Sequence, residues 1–180
     1  MNKMIKTAIA TAITALSFNA SAEVDSPFSF IEYSVGTVQY DIDGADIDDG
    51  DYSALAVSVD LPLLPILSAE KIDIDGSDFA KLGAGMSLQI SPDGHLYALV
   101  HYNDYNWDRD NDLSIRLGFK YFLMENLELD VAQTEYTDVD GLNSTKVSLD
   151  YYIHPNFSLS ANYEMLEDMN IISGGVKVSF

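Results

Sequence analysis

Apolar and polar residues alternate along most of the chain beyond residue 30. The clearest segment is 113–123, where one face is apolar throughout: Leu113, Ile115, Leu117, Phe119, Tyr121 and Leu123. The opposite face includes Ser114, Arg116, Gly118 and Lys120. A period of two places successive side chains on opposite faces of a strand, whereas a helix would distribute these apolar residues around its axis. The pattern therefore predicts a β-strand with one apolar and one polar face.

Six further segments repeat this alternation. Their apolar faces begin at Leu55, Leu82, Leu127, Val147, Leu159 and Ile172. Two less regular segments begin at Ile31 and Ala98, and residues 66–74 form a tenth, weakly patterned candidate. Strands of about ten residues are typical of sheets that cross a bilayer at a tilt, whereas strands in soluble sandwiches average about five or six residues. The repeated segments therefore favour a membrane-spanning sheet.

The connections between these segments are of two kinds. Short ones fall at 62–65, 91–94, 125–126 and 154–156. Longer, Asp-rich ones fall at 41–51, 75–78, 104–112, 137–144 and 167–170. The two kinds alternate strictly along the chain if there are ten strands, which is how the turns of a membrane barrel are arranged. Ten strands are therefore predicted, with eight as the alternative if 66–74 is a loop.

Charged residues are concentrated on the polar faces of the predicted strands. Of the seven Lys and Arg residues beyond position 22, five lie on these faces: Lys81, Arg116, Lys120, Lys146 and Lys177. The same faces carry Glu32, Asp60, Glu128, Asp130, Asp150 and Glu164. A narrow barrel encloses this face, and enclosed charges need partners of opposite sign. We therefore predict a charge network in a barrel lumen. Adjacent strands should pair Arg116 and Lys120 with Glu128 and Asp130, and Lys177 with Glu164.

The predicted fold class is all-β: a closed, antiparallel, up-and-down transmembrane β-barrel. Backbone groups that face lipid cannot remain unpaired, so the sheet must close on itself. Several aromatic residues on the apolar faces would then meet the lipid headgroups, and the candidates are Tyr33, Tyr102, Tyr121, Tyr151, Tyr163 and Phe180. The alternative is a soluble β-sandwich that acts as a periplasmic or secreted binding module.

The first 22 residues have the features of a cleaved secretory signal. Lys3 and Lys6 form a basic start, residues 7–18 are weakly apolar, and Ala20-Ser21-Ala22 matches a signal-cleavage site. About a dozen apolar residues are too few to cross a bilayer. We expect residues 1–22 to be removed and residues 23–180 to form one domain outside the cytoplasm.

The composition excludes several classes of function. Asp and Glu number 29 against nine Lys and Arg, which gives a net charge of −20. Nucleic-acid binding is excluded, since phosphate contacts need clustered cations. The absence of Cys excludes disulfides, thiolate metal sites and a Cys nucleophile. No apolar run of 18 residues occurs, which excludes a bundle of transmembrane helices.

The C-terminal segment carries the most specific family signature. Every second position of this segment is apolar or Gly: Ile172, Gly174, Val176, Val178 and the terminal Phe180. With the signal segment and the alternating strands, this pattern resembles the small, porin-like outer-membrane β-barrel proteins of Gram-negative bacteria. The resemblance implies an outer-membrane location and contacts with outer-membrane lipid and lipopolysaccharide. It also implies that the barrel-assembly machinery recognises Phe180. We expect a monomer.

The Asp-rich connections supply the oxygen ligands that Ca²⁺ and Mg²⁺ prefer. The candidate metal ligands are Asp41, Asp43, Asp46, Asp48, Asp108, Asp110, Asp138 and Asp140. Residues 41–51 depart from an EF-hand loop because Ala45 stands where a third ligand belongs. A hydrated acidic rim is therefore the simpler interpretation. Weak Ca²⁺ or Mg²⁺ binding that bridges to lipopolysaccharide phosphates is the alternative, and no other cofactor is expected.

The sequence contains no convincing set of nucleophile, base and orienting residue, so we predict no catalytic residues and no enzyme activity. His101 is a candidate base on a polar face, where it could pair with Ser87 or another hydroxyl on the neighbouring strand. This leaves an outer-membrane hydrolase as a third reading. Side chains just fill the interior of a barrel of about eight strands. A ten-stranded barrel lined by charged residues should therefore have a plugged or narrow lumen. The expected role is structural or surface interaction through acidic outer loops, or a minor channel for small solutes.

Overall fold

The computed structural model describes residues 26–41, 49–61, 65–105, 111–138 and 141–180. The predicted signal segment, 1–22, lies outside the described residues. Ten β-strands follow in chain order: β1 (Phe30–Tyr40), β2 (Gly50–Val59), β3 (Ile66–Ile74), β4 (Ser77–Ser91), β5 (Gly94–Tyr105), β6 (Asp112–Met124), β7 (Leu127–Tyr136), β8 (Ser144–His154), β9 (Phe157–Met165) and β10 (Met169–Ser179). Within the described ranges, no helix has the length and apolar character needed to span a membrane.

The ten strands form a closed antiparallel barrel in which each strand pairs with its neighbours in the chain. Closure is made by β1 and β10, which pair from Phe30 opposite Ser179 to Tyr40 opposite Met169. A closed sheet has no edge strand with unpaired backbone groups. The predicted ten-stranded, up-and-down barrel is confirmed, and the weakly patterned segment 66–74 is β3.

The two ends of the barrel differ in their connections. At one end, which we name the short-turn end, two-residue turns at 92–93, 125–126 and 155–156 join consecutive strands. Residue 26 and the C-terminal Phe180 also lie at this end, next to the start of β1 and the end of β10. At the opposite end, which we name the loop end, longer connections join β1 to β2, β5 to β6, and β7 to β8.

A connection that was predicted to be a longer loop is a tight turn. The sequence analysis placed this loop at 75–78, but Asp75 and Gly76 alone join β3 to β4, and Asp78 pairs with Asp73 within the sheet. Both turn residues have positive φ, 51° at Asp75 and 76° at Gly76. Asp and Gly tolerate this left-handed backbone, which a two-residue type I′ hairpin turn requires.

The two faces of the sheet have the polarity that the sequence predicts. The outward-facing Leu117, Leu149 and Val176 are 58%, 41% and 42% exposed, whereas the inward-facing Glu128 and Lys177 are 0% and 1% exposed. Four of the aromatic residues proposed for a headgroup girdle are also outward and exposed: Tyr33, Tyr102, Tyr151 and Tyr163. A β-sandwich would instead press the apolar faces together, so the soluble-sandwich alternative is wrong.

Candidate functional site

Apolar side chains fill the loop end of the lumen. Seven buried residues pack together there, and we name them the loop-end cluster: Val38, Tyr52, Ala54, Ile72, Phe79, Tyr105 and Ile171. Partly buried residues pack against this cluster: Tyr40, Ile74, Tyr136, Leu142, Leu166 and Met169. The sequence analysis predicted a polar lumen, and the loop end departs from that prediction.

Five charged side chains form a buried ionic cluster nearer the short-turn end. We name it the Glu128 cluster: Lys120, Glu128, Asp130, Asp150 and Lys177. Glu128 Oε1 accepts hydrogen bonds from Lys120 Nζ at 3.1 Å and from Lys177 Nζ at 3.3 Å. Lys177 Nζ also donates to Asp150 Oδ2 at 2.5 Å, and Lys120 Nζ lies 3.4 Å from Asp130 Oδ2. Because β6, β7, β8 and β10 each contribute to it, the cluster joins strands across the lumen.

A second group of charged residues lies between the Glu128 cluster and the loop-end cluster. Lys81 Nζ is 4.0 Å from Glu70 Oε2, and Arg116 Nε donates to Thr134 Oγ1 at 3.1 Å. Among the described residues, neither Arg116 nor Lys146 takes part in an ion pair. Both side chains line a central cavity instead.

The central cavity has a volume of about 90 Å³. Acidic and basic side chains both line it: Glu32, Glu70, Arg116, Lys120, Asp130, Lys146, Asp150 and Lys177. Ser68 and His101 also line it, and Ser68 Oγ and His101 Nδ1 are buried without a hydrogen-bond partner in the described part of the chain. A single water needs about 10–15 Å³ of such volume. The cavity is therefore large enough for several waters or a small polar solute.

A small apolar cluster borders the cavity towards the short-turn end. We name it the Phe28 cluster: Phe28, Ile66, Tyr97, Leu99 and Ala132. The Tyr97 ring lies against Gly118, where an added Cβ would clash with the phenol. This close approach places the Tyr97 hydroxyl 2.9 Å from Asp130 Oδ1, to which it donates a hydrogen bond. Four of the five residues line the cavity itself, and Phe28 is the one that enters from the turn at the short-turn mouth.

The structure brings together part of the predicted charge network. Lys120 contacts both Glu128 and Asp130, as expected, whereas Arg116 forms an ion pair with neither in the described structure. Lys177 pairs with Glu128 and Asp150 rather than with Glu164.

The remaining predicted lumen acids are held by hydroxyl groups. Glu164 accepts a hydrogen bond from Ser144 at 2.6 Å, and Glu32 accepts one from Ser160 at 2.9 Å. Asp60 lies just after β2 at the short-turn mouth, where it accepts from Ser26 Oγ at 2.7 Å.

Two acidic lumen residues were missed by the sequence analysis. Glu70 lies in β3, whose alternation is weak. It lies two residues after the inward-facing Ser68 and therefore on the same face, which is the signal that could have assigned it to the lumen. Asp112 was assigned to a loop but begins β6. Its Oδ1 accepts a hydrogen bond from Asn103 Nδ2 at 2.7 Å.

Most of the predicted metal ligands lie outside the described residues: Asp43, Asp46, Asp48, Asp108, Asp110 and Asp140. Asp41 and Asp138 are described, and Asp138 Oδ2 accepts a hydrogen bond from Thr137. Within the described ranges, no three His, Cys, Asp or Glu side chains gather closely enough to hold a metal ion.

His101 faces the cavity, but the register does not place it beside the hydroxyl suggested as its partner. His101 lies opposite Gly83, whereas Ser87 lies opposite Tyr97, further along the same pair of strands. In β6, Ser114 lies directly opposite His101, and His101 Nδ1 is buried without a hydrogen-bond partner among the described residues.

No family model and no curated protein matches this chain. The solved structures that resemble it in fold include two of a KdgM porin and one of a NanC porin. A KdgM porin matches with a TM-score of 0.56 at 13% identity, over 84% of this chain and 99% of that one. A KdgM porin in complex with disordered oligogalacturonate matches with 0.56 at 12% over the same shares. A NanC porin matches with 0.54 at 12%, over 83% of this chain and 98% of that one. The chain therefore has the fold of a porin-like transmembrane β-barrel.

Proposed function

We propose that this protein is an outer-membrane β-barrel with a lumen closed to solutes, which acts through its membrane-embedded wall and its acidic loop end. The observation that carries this proposal is the presence of two buried apolar clusters inside the barrel, one at the loop end and one along a cavity of only about 90 Å³. Polar solutes lose their hydration on passing an apolar constriction, so each cluster opposes their passage. The predicted signal segment and the outward apolar faces support the outer-membrane location.

Transport of an acidic polysaccharide is disfavoured by the lumen charges. One of the similar porins is described in complex with oligogalacturonate, a polyanion. In this chain, acidic side chains outnumber basic ones among the described lumen residues: Glu32, Glu70, Asp112, Glu128, Asp130, Asp150 and Glu164 against Lys81, Arg116, Lys120, Lys146 and Lys177. An excess of negative charge repels a polyanion.

The loop end carries many acidic residues, which suits the aqueous surface of a bilayer rather than its hydrocarbon core. Its described acidic residues include Asp41, Asp49, Asp51, Asp73, Asp75, Asp78, Asp138, Glu167 and Asp168. In a Gram-negative outer membrane, these carboxylates would stand beside lipopolysaccharide phosphates. Divalent cations would then bridge the two sets of anions, because Ca²⁺ and Mg²⁺ prefer oxygen ligands from both. We propose lipopolysaccharide as the partner of this surface, and a monomeric barrel.

Planar-bilayer recordings test the closed lumen. The refolded protein should insert without producing stable unitary current steps, because both apolar clusters must part before ions can pass. A variant that thins both clusters, Phe28→Ala with Phe79→Ala, serves as the positive control and should show steps under the same conditions. Reproducible ohmic steps from the unmodified protein would overturn the closed lumen.

The second candidate function is a narrow channel for small solutes. The observation that favours it is the polar lining of the cavity, where Arg116 and Lys146 form no ion pair among the described residues. Unitary steps with weak selectivity in the same recordings would select this function, because the cavity presents both signs of charge.

A further inference from the structure

The four residues before β1 turn into the mouth of the lumen at the short-turn end. The Phe28 N–H donates to Ser26 Oγ at 3.2 Å, and the Ser29 N–H donates to the Ser26 carbonyl at 3.3 Å. This turn is fastened to the barrel wall at three points, one of which is the hydrogen bond from the Phe180 N–H to the Ser29 carbonyl at 3.1 Å. Ser26 Oγ donates to Asp60 Oδ2 at 2.7 Å, and the Asp60 N–H donates to Ser29 Oγ at 3.0 Å.

The turn directs the Phe28 side chain into the lumen, where it is 3% exposed. Its ring meets Tyr97 and His95 edge-on, with centroids 5.4 Å and 5.8 Å apart. Lys120 Nζ lies 5.6 Å from the ring centroid, within the range of a cation–π contact. Phe28 also lines the central cavity, and the turn that carries it lies at the short-turn mouth.

The ionic contacts of the lumen do not depend on the Phe28 ring. Lys120 holds Glu128 and Asp130 through its ammonium group, and those contacts remain if the ring withdraws. Withdrawal of the turn would break the bond from the Phe180 N–H to the Ser29 carbonyl, but it would leave the strand pairing of β1, which begins at Phe30. Outward movement of residues 26–29 would therefore uncover the cavity without breaking the barrel.

We propose that residues 26–29 form a built-in plug that controls the entry of small polar solutes into the central cavity from the short-turn end. The size and mixed charge of the cavity restrict its occupants to waters and small polar or zwitterionic solutes. The proposal relies on the proposed function at one point, namely that the loop-end cluster keeps the opposite end closed.

A single introduced thiol can test the plug, because the chain contains no Cys. Ser68→Cys places the thiol at the cavity, where Ser68 Oγ is buried and has no hydrogen-bond partner in the described residues. The full chain is placed in nanodiscs, which leave both ends accessible, and is treated with small methanethiosulfonate reagents of either charge. Removing the ring with Phe28→Ala should raise the labelling rate about ten-fold or more, since labelling follows the population of open states.

Phe157→Ala is the matched control. Phe157 is an aromatic residue of the same size at the same end, but it lies on the outward face of β9. Its removal should leave the labelling rate unchanged. Slow labelling of Ser68→Cys both with and without Phe28 would overturn the plug while the closed lumen stands. Fast labelling with Phe28 in place, at the rate of a thiol at the exposed Ser77, would overturn the closed lumen itself.

A second variant keeps the proposal testable if Phe28→Ala does not fold. Asp60→Ala retains the Phe28 ring but removes the carboxylate that holds Ser26, and so it loosens the turn alone. Its labelling rate should lie above that of the Ser68→Cys parent. A folded Asp60→Ala protein that labels as slowly as the parent would count against the plug in that case.

Discussion

At the residue scale, Lys177 is a buried cation that has two acidic partners in the Glu128 cluster. Its Nζ is buried between Asp150 Oδ2 at 2.5 Å and Glu128 Oε1 at 3.3 Å. Loss of one partner from a buried ion pair leaves the other charges uncompensated. We expect Lys177→Met to lower the free energy of unfolding by about 3–5 kcal/mol. Urea unfolding in lipid vesicles, followed by intrinsic fluorescence, measures this change.

The exposed ion pair of Lys71 and Asp78 provides the control for this prediction. The two groups are 2.8 Å apart, but their side chains are 37% and 31% exposed. Solvent screens such pairs, so Lys71→Met should cost less than about 1 kcal/mol. Replacing Asp150 by Asn in the Lys177→Met protein should restore part of the lost stability. Equal losses from the two Lys variants would show that burial of the Glu128 cluster has no energetic consequence.

Gly118 permits close packing of an aromatic ring inside the lumen. The Tyr97 ring occupies the space that a Cβ at position 118 would need, and its hydroxyl donates to Asp130. Gly118→Ala should displace the ring, weaken that hydrogen bond and destabilise the barrel by about 1–3 kcal/mol.

The matched control for this packing is Gly174→Ala. The nearest atom to an added Cβ at position 174 is the Ser160 carbonyl oxygen at 3.6 Å, which is an ordinary contact. Its effect should stay within about 0.5 kcal/mol. The same unfolding measurement applies to both variants, and a Gly118→Ala protein as stable as the Gly174→Ala protein would contradict the packing argument.

The alternation of side chains predicted which charges enter the lumen, but not which charges meet. The direction in which a side chain faces follows from the period of two. The sequence of each strand alone therefore assigns Lys120 and Glu128 to the inward face. The contact between Lys177 and Glu128 joins β10 to β7, two strands that are not neighbours in the sheet. Such a contact depends on the width and closure of the barrel, which no single strand encodes. Arg116 illustrates the same limit, because it lines the cavity instead of pairing with Asp130.

At the element scale, the β3–β4 connection carries a hairpin signal in its sequence, Asp75-Gly76. Asp-Gly between two strands is a strong signature of a two-residue turn. The sequence analysis instead predicts a longer, Asp-rich loop at 75–78. The inward face of β3 carries Ile66 and Ile72, which join apolar clusters inside the barrel. Apolar residues on both faces remove the alternation on which strand prediction depends.

The pKa of Asp75 gives this turn a measurable pH dependence. The Tyr40 hydroxyl donates to Asp75 Oδ2 at 2.6 Å and the Asp51 N–H donates to Oδ1 at 2.8 Å, and both bonds hold the pKa of this carboxyl below its usual value of 3.8. A carboxyl with a lowered pKa stabilises the folded turn above that value, and the stabilisation is lost as the pH falls below it.

Asp75→Asn removes this dependence. At neutral pH we expect faster amide exchange at Asp51 in the variant than in the unmodified protein, after correction for intrinsic rates. The difference should shrink as the pH is lowered from about 5 to about 3, because the native carboxyl becomes protonated. A difference that stays constant over this range would show that the charge of Asp75 does not support the turn.

Phe180 follows β10, the strand that closes the barrel. A role of its side chain in assembly can be distinguished experimentally from an effect on the stability of the barrel. Its N–H donates to the Ser29 carbonyl at 3.1 Å, and this backbone bond survives Phe180→Ala. The refolded variant should therefore lose less than about 1 kcal/mol of stability. If the side chain is the assembly signal, the amount of heat-modifiable barrel in the outer membrane of cells should fall severalfold. Val178→Ala, in the same strand, is the control, and an equal yield from both variants would refute this role.

At the scale of the whole molecule, the polarity of the two faces reverses at the loop end of β1 to β4. The interior there is apolar, as the loop-end cluster shows. The outward face there carries polar residues: Thr37, Gln39, Asp51, Ser53, Lys71, Asp73 and Asp78. A barrel wall surrounded by water needs an apolar interior, whereas a wall surrounded by lipid can enclose a polar one. The reversal therefore indicates where the wall leaves the hydrocarbon, and a prediction that assumed one polarity along each strand could not find it.

This boundary predicts how the cost of an introduced charge depends on depth. Leu149 lies in the middle of β8 on the apolar outward face, and Ser53 lies near the loop end of β2 on the polar outward face. In lipid bilayers, Leu149→Arg should lower the free energy of unfolding by about 2–4 kcal/mol and Ser53→Arg by about 0–1 kcal/mol. Urea titration of both variants in vesicles measures the difference. A water-surrounded barrel would tolerate Arg equally at both positions, since neither side chain contributes to its interior. Similar stabilities for the two variants would therefore show that lipid does not surround the outward face. The reason for the charges to lie inside the barrel would then be lost as well.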